Sequence, residues 1–210
     1  MRSDDLTRFS LLERIVHWLV GVSFFLLLLS GLAFSYPKLF WLTYLVGGGT
    51  AARALHPLLG VLFSAGVASM SLLWARDMLF GRDDLRWVAA LRHYVLHRRD
   101  KVPPAGRYNA GQKGLFWAQI LLGALFLLSG IPLWFPDGMW GLGAFGFGLL
   151  RAARLLHYLT TLVAALLLIP HVYLSTVAFP GTARGMMFGR VSRQWAKLHH
   201  PLWSPDQDRR

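Results

Sequence analysis

No cysteine occurs among the 210 residues. That absence excludes disulfides, thiolate zinc sites, iron–sulfur clusters ligated by this chain, and haem attached through thioether bonds. Acidic residues are scarce, ten Asp and Glu against 22 Lys and Arg. Charge of either sign makes up only 15% of the chain, where a soluble domain carries about 25%. An ordinary water-soluble domain is excluded as well. Apolar residues fill the chain instead: 55% of it is hydrophobic and 14% aromatic.

Four windows contain no Asp, Glu, Lys or Arg and are long enough to cross a bilayer, which takes about 20 helical residues. They are 15–37, 54–75, 114–136 and 155–183. Membrane helices are expected over 15–37, 54–75, 114–136 and 152–179. Two shorter charge-free windows, 39–52 and 138–150, are rich in glycine and aromatics (Gly47-Gly48-Gly49; Gly138, Gly141, Gly143, Gly146, Gly148). They read as interfacial loops. The apolar–polar alternation of a membrane barrel is absent. No internal repeat, soluble domain or low-complexity tract is visible. The chain reads as one integral-membrane domain over 1–210, all-α, with a loop at 76–113 and a tail at 184–210. Asp4, Asp5 and Glu13 precede a full-length span without a small-x-small cleavage site, so the N-terminus is expected to persist.

The basic residues sort by side. Eighteen fall before the first span, between the second and third, or after the fourth; only Lys38, Arg53, Arg151 and Arg154 fall opposite. The positive-inside rule places the eighteen, and both termini, in the cytoplasm. The net charge of +12 is then a topology signal, and no nucleic-acid partner is implied.

Four of eight histidines lie inside spans: His17, His56, His157 and His171. Intramembrane histidines are rare and are functional candidates by default; the plain alternative is a hydrogen bond to a neighbouring helix. The topology pairs them by depth. His17 and His171 lie near the inner side, His56 and His157 near the outer. On the fourth span, 14 residues separate His157 from His171, which places them about 21 Å apart on nearly one helix face. Two imidazoles at one depth suit a metal with two open axial positions. Haem iron fits, because the porphyrin supplies the other four ligands. Zinc would want three or four protein ligands. Two non-covalent b-type haems are therefore expected in a four-helix bundle, ligated by His56 and His157 outside and by His17 and His171 inside.

Arg14, Arg53 and Arg154 each stand three residues before a ligand histidine, one turn nearer the membrane surface. They are candidate partners for haem propionates, with a snorkelling interfacial arginine as the alternative. Gly21 and Gly60, four residues after His17 and His56, would let a macrocycle approach the backbone; small-residue helix packing is the alternative. Pro170 precedes His171 and is expected to kink the last helix, with Ser175 and Thr176 placed to satisfy freed backbone groups. His93 and His97 form an i, i+4 pair that reads as a solvated face. His199 and His200 lie in the tail with Trp195 and Trp203, which read as interfacial anchors or partner contacts. The segment Tyr108-Asn109-Ala110-Gly111-Gln112-Lys113-Gly114 enters the third span beside the inner pair. Its amides, exposed backbone N–H groups and cation suit a quinone carbonyl; an ordinary helix-entry turn is the alternative.

These motifs resemble the cytochrome b (gamma) subunit of respiratory membrane-bound formate dehydrogenases. The likeness rests on Arg14-Ile15-Val16-His17-Trp18, His56-Pro57-Leu58-Leu59-Gly60, Asn109-Ala110-Gly111-Gln112-Lys113, Gly189-Arg190-Val191-Ser192-Arg193 and Trp195-Ala196-Lys197-Leu198-His199-His200-Pro201. The spaced histidines alone would also fit the cytochrome b of a hydrogenase, or a free-standing quinone-linked cytochrome b. The resemblance implies a multi-pass protein of the bacterial inner membrane, serving anaerobic respiration. It implies an iron–sulfur (beta) subunit with its own anchor helix and a molybdopterin or tungstopterin catalytic (alpha) subunit, assembled as a higher oligomer of the heterotrimer. Electrons would enter the outer haem, cross to the inner one and reduce menaquinone or ubiquinone near Asn109, Gly111, Gln112 and His171. Formate oxidation itself would belong to the catalytic partner.

Overall fold

The computed structural model describes residues 5–96, 98–138 and 144–203. His97, Gly141 and Gly143 lie outside the described residues, as do Arg2, Arg209 and Arg210. The order of elements is β1 (Asp5–Thr7), α1 (Leu11–Ser35), a 3-10 helix (Pro37–Val46) and α2 (Gly48–Trp74). Then come α3 (Arg82–Ala89), α4 (Leu91–Val95), a 3-10 turn (Arg99–Lys101) and α5 (Ala110–Trp134). The chain continues with α6 (Phe147–Tyr173), a π turn (Leu174–Ala178), α7 (Thr182–Phe188), β2 (Arg190–Ser192) and α8 (Arg193–His199). Four helices are long and apolar enough to cross a membrane: α1, α2, α5 and α6 with its π turn. Leu162, Leu166 and Ile169 on α6 are each more than half exposed. Such a face is stable only where lipid, not water, surrounds it.

The membrane helices start ahead of the charge-free windows. Arg14, Arg53, Lys113, Arg151 and Arg154 all lie inside helices. Arg and Lys stems are long enough to lie along an apolar helix and carry their charge to its end. The window 39–52 is also more ordered than a loop. Pro37, with its φ already set, opens the 3-10 helix. That helix closes on Gly47 at φ +91°, whose N–H reaches the Tyr44 carbonyl, and α2 begins at once with Gly48.

The chain forms two compact units. The bundle unit comprises residues 16–69 and 119–169. Its four helix segments pack through small residues. A Cβ at Gly66 would lie 2.6 Å from Val20 Cγ2, and one at Gly123 would lie 2.7 Å from Val67 Cγ1, so α1, α2 and α5 approach closely. Phe24, Phe63 and Phe126 meet there with ring centres 6.0–6.4 Å apart.

The network unit comprises the residues up to 15, 70–118, and those from 170 onward. Its two strands pair antiparallel, with Leu6 opposite Val191. Gly189 ahead of β2 has φ +78°, and a Cβ there would lie 3.0 Å from the Phe9 carbonyl oxygen; only glycine makes that turn without strain. Residues 184–203 of the segment expected as a tail are folded. Val191, Trp195 and Ala196 form a buried cluster with Leu6 and Trp203 against it. Trp195 is thus a core residue, because α8 presents its apolar side to the ribbon.

Candidate functional site

Two histidines of the bundle unit share one site. His56 on α2 and His157 on α6 have ring centres 6.3 Å apart. The Ser30 hydroxyl on α1 lies 2.7 Å from His56 Nδ1, and the Ser129 hydroxyl on α5 lies 2.9 Å from His157 Nδ1. Both serines are 1% exposed. Phe34 meets the His56 ring at 5.6 Å and Phe126 meets the His157 ring at 5.2 Å.

The histidines line a cavity of 1330 Å³. Its wall is mostly apolar, with Phe24, Leu27, Phe63 and Trp134 among the lining residues. Arg53, Arg151 and Arg154 contribute the charged part of the lining, and Gly60 lines it too. A Cβ at Gly60 would meet nothing within 4 Å, so its backbone faces open space. The same is true of Gly21. Tyr158, also lining the cavity, shares a hydrogen bond with the Tyr36 hydroxyl.

His17 lies half-buried on α1 in the bundle unit, its ring 5.5 Å edge-on from Trp18. His171 lies half-buried in the network unit, directly after Pro170 inside α6. Beyond it the helix loosens into the π turn, where the Phe179 N–H returns to the Leu174 carbonyl at 3.2 Å. The hydroxyls of Ser175 and Thr176 both bond the Val172 carbonyl. Arg14, in the network unit, donates to the carbonyls of Met186 and Met187.

The segment entering α5 is built as a capping box. The Asn109 side-chain oxygen accepts from the Gln112 N–H at 3.0 Å, and the Gln112 side-chain oxygen accepts from the Asn109 N–H at 3.0 Å. A Cβ at Gly111 would lie 3.2 Å from Trp87 Cη2, so this glycine makes room for a ring on α3. Lys113 pairs with Asp84 at 2.7 Å. Next to the box, Arg107 bridges Glu13 at 2.9 Å and Asp77 at 2.8 Å, and Glu13 also accepts from Trp74 Nε1. Arg8, 4% exposed, donates to the Arg107 carbonyl. Its guanidinium lies among the rings of Phe9, Tyr108, Trp195 and Trp203, the last 4.4 Å away. Burial pushes the Tyr108 hydroxyl above its ordinary pKa. Burial, with Arg8 adding to it, pushes His200 down to about 3. His200 Nδ1 donates to the Gly106 carbonyl at 2.7 Å.

Residues 8–189 match the prokaryotic cytochrome b561 family. The cytochrome b556(fdo) subunit of formate dehydrogenase from Escherichia coli K12 is 36% identical over 202 residues, covering 96% of this chain and 93% of that protein. The nitrate-inducible cytochrome b556(Fdn) subunit of the same organism is 31% identical over 202 residues, with 96% and 91% covered. The cytochrome b556 subunit from Haemophilus influenzae is 33% identical over 190 residues, with 90% and 78% covered. The chain belongs to the formate dehydrogenase cytochrome b subunits, within the prokaryotic cytochrome b561 family.

A cytochrome b of this family implies b-type haem, and the His56/His157 site fits one. An imidazole nitrogen sits about 2.0 Å from a first-row metal and about 1.1 Å from its own ring centre, so two rings on one iron have centres roughly 6.2 Å apart. The observed 6.3 Å agrees. Among the described residues, no three of His, Cys, Asp or Glu gather as an all-protein metal cage, whereas haem asks for only two. Sequence reasoning missed several residues of this site, Ser30, Ser129, Arg151, Phe34 and Phe126 among them. Arg151 carried a readable signal, a charge at the mouth of an apolar span; Ser30 and Ser129 did not, because serine is ordinary in membrane helices. Phe126 carried none.

Proposed function

We propose that this chain is the membrane electron-transfer subunit of a formate dehydrogenase complex. The observation that carries the proposal is the His56–His157 pair, at haem-ligand spacing in a largely apolar cavity. Haem iron, when bound, supplies one-electron redox chemistry. The chain's own residues do the rest. His56 and His157 hold the outer haem, and Arg53 and Arg154 on the cavity wall neutralise its propionates. His17 and His171 hold an inner haem; in-span position and equal depth in the sequence support that pair. Arg14 is the weakest propionate partner, because Met186 and Met187 already accept its hydrogen bonds.

The chain takes electrons from an iron–sulfur partner on the periplasmic side and delivers them to a quinone on the cytoplasmic side. Asn109, Gly111, Gln112 and His171 form the quinone site. The capping box supports this, since it fixes the backbone of the segment. Each amide uses its oxygen on the cap, and its NH2 is the donor a quinone carbonyl needs. The excess of basic residues on one side supports the orientation. The protein sits in the bacterial inner membrane with an iron–sulfur and a molybdopterin or tungstopterin subunit. Gentle detergent purification tests this reading. The expected preparation contains both partners, oxidises formate and reduces quinone. A preparation that instead contains hydrogenase subunits and oxidises hydrogen would replace it.

A further inference from the structure

Most membrane serines turn their hydroxyl back to a carbonyl of their own helix. Ser23, Ser64 and Ser69 do so here. Ser30 and Ser129 do more. Ser30 Oγ lies 2.8 Å from the Leu26 carbonyl and 2.7 Å from His56 Nδ1. Ser129 Oγ lies 2.6 Å from the Leu125 carbonyl and 2.9 Å from His157 Nδ1. A hydroxyl has one hydrogen, and a carbonyl only accepts. The hydrogen therefore goes to the carbonyl, and the serine oxygen accepts from the histidine. Nδ1 of each ring carries the proton, which leaves Nε2 as the nitrogen with a free lone pair.

The next residue completes the arrangement. A Cβ at Gly31 would lie 3.7 Å from His56 Cε1, and one at Gly130 would lie 3.7 Å from His157 Cε1. Each ring edge thus rests on a Ser-Gly pair. The pairs recur in sequence as Leu28-Leu29-Ser30-Gly31 on α1 and Leu127-Leu128-Ser129-Gly130 on α5. Two helices present the same Ser-Gly pair to two histidines in the same way.

We propose that Ser30-Gly31 and Ser129-Gly130 are twin cradles that fix the tautomer and raise the donor strength of the axial histidines His56 and His157. The serines are positioning residues. This inference rests on the axial-ligand assignment made above. An acceptor on Nδ1–H makes an imidazole a stronger donor to its metal. A stronger donor favours ferric over ferrous iron. At 1% exposure, neither serine has a water ready to replace it.

The test uses the intact complex in native membranes, with Ser30→Ala, Ser129→Ala and the matching Thr variants. Redox titration follows each haem separately. In each Ala variant the outer midpoint rises, so that the ferric-to-ferrous ratio at the wild-type midpoint falls about threefold, the scale of one modest hydrogen bond. The inner midpoint stays where it was. Thr, which keeps the hydroxyl, restores the wild-type value. Loss of the outer haem in Ala variants with retention in Thr also supports the cradle. Unchanged outer midpoints in both Ala variants overturn it, as does a Thr variant that shifts as far as Ala or loses the haem alongside it. The ligand assignment fails separately: His56→Ala would then still hold both haems.

Discussion

The two units bury polar groups by opposite means. The bundle unit contains one acidic residue, Asp137, and its buried polar pairs are neutral, a serine hydroxyl on a histidine ring. The network unit contains the other nine acids, and its polar groups pair as ions: Arg107 with the shielded Glu13 and the exposed Asp77, and Lys113 with the buried Asp84. The difference follows from what each must do. On the proposed assignment His56 and His157 must each keep one nitrogen free for iron, and a hydroxyl partner on the other leaves it so. A unit made of chain ends and a connecting loop must gather distant segments, and ion pairs with directional hydrogen bonds do that. Removing one ion of such a set leaves its shielded partner uncompensated.

That contrast can be broken from the network side. Arg107→Ala leaves the shielded Glu13 carboxylate without its cation, while the exposed Asp77 is screened by solvent, so the change should cost about 1–3 kcal/mol of stability. The expected result is a lower midpoint in thermal unfolding, with the outer haem spectrum of the remaining folded protein unchanged. A smaller effect sharpens the reading of the α5 entry. Asn109→Ala loses both the cap and the amide, while Asn109→Asp keeps a capping oxygen, so only Ala should cost about 1 kcal/mol of stability. Both should slow quinone reduction with the haems still in place. Normal quinone turnover in Asn109→Asp would remove Asn109 from the site.

Least visible at neutral pH is a pH dependence. His200 is held neutral with its pKa down to about 3, against 6.5 when unfolded. The unfolded chain therefore binds a proton that the folded one refuses. Its contribution is present above about pH 6.5 and fades as pH falls toward 3, by up to about 1.4 kcal/mol per pH unit. Arg8 and His199 add to the same sign. His200→Gln should flatten the acid limb of a stability–pH curve. An unchanged limb would show that another group governs it.

The helices were legible because charge is expelled from lipid, so windows without charge mark them. Their starts were not, because Arg53 and Lys113 lie inside helices and reach the surface by their stems. The in-span histidines were legible for the same reason as the helices: a polar ring in an apolar run stands out. Ser30 and Ser129 did not stand out, since serine is ordinary in membrane helices and only the third dimension shows which serines meet a histidine. The capping box was written plainly as Asn109-x-x-Gln112. The tail was misread because its order comes from β1, which lies at the opposite end of the chain, and no local pattern reveals such a pairing.

The optical spectrum and haem content of His56→Ala, purified within its complex, test the central claim most directly. One of two b-type haems should be absent, with the inner haem still reducible. Two haems retained in full would contradict the assignment of His56 and His157 as the ligands of one iron.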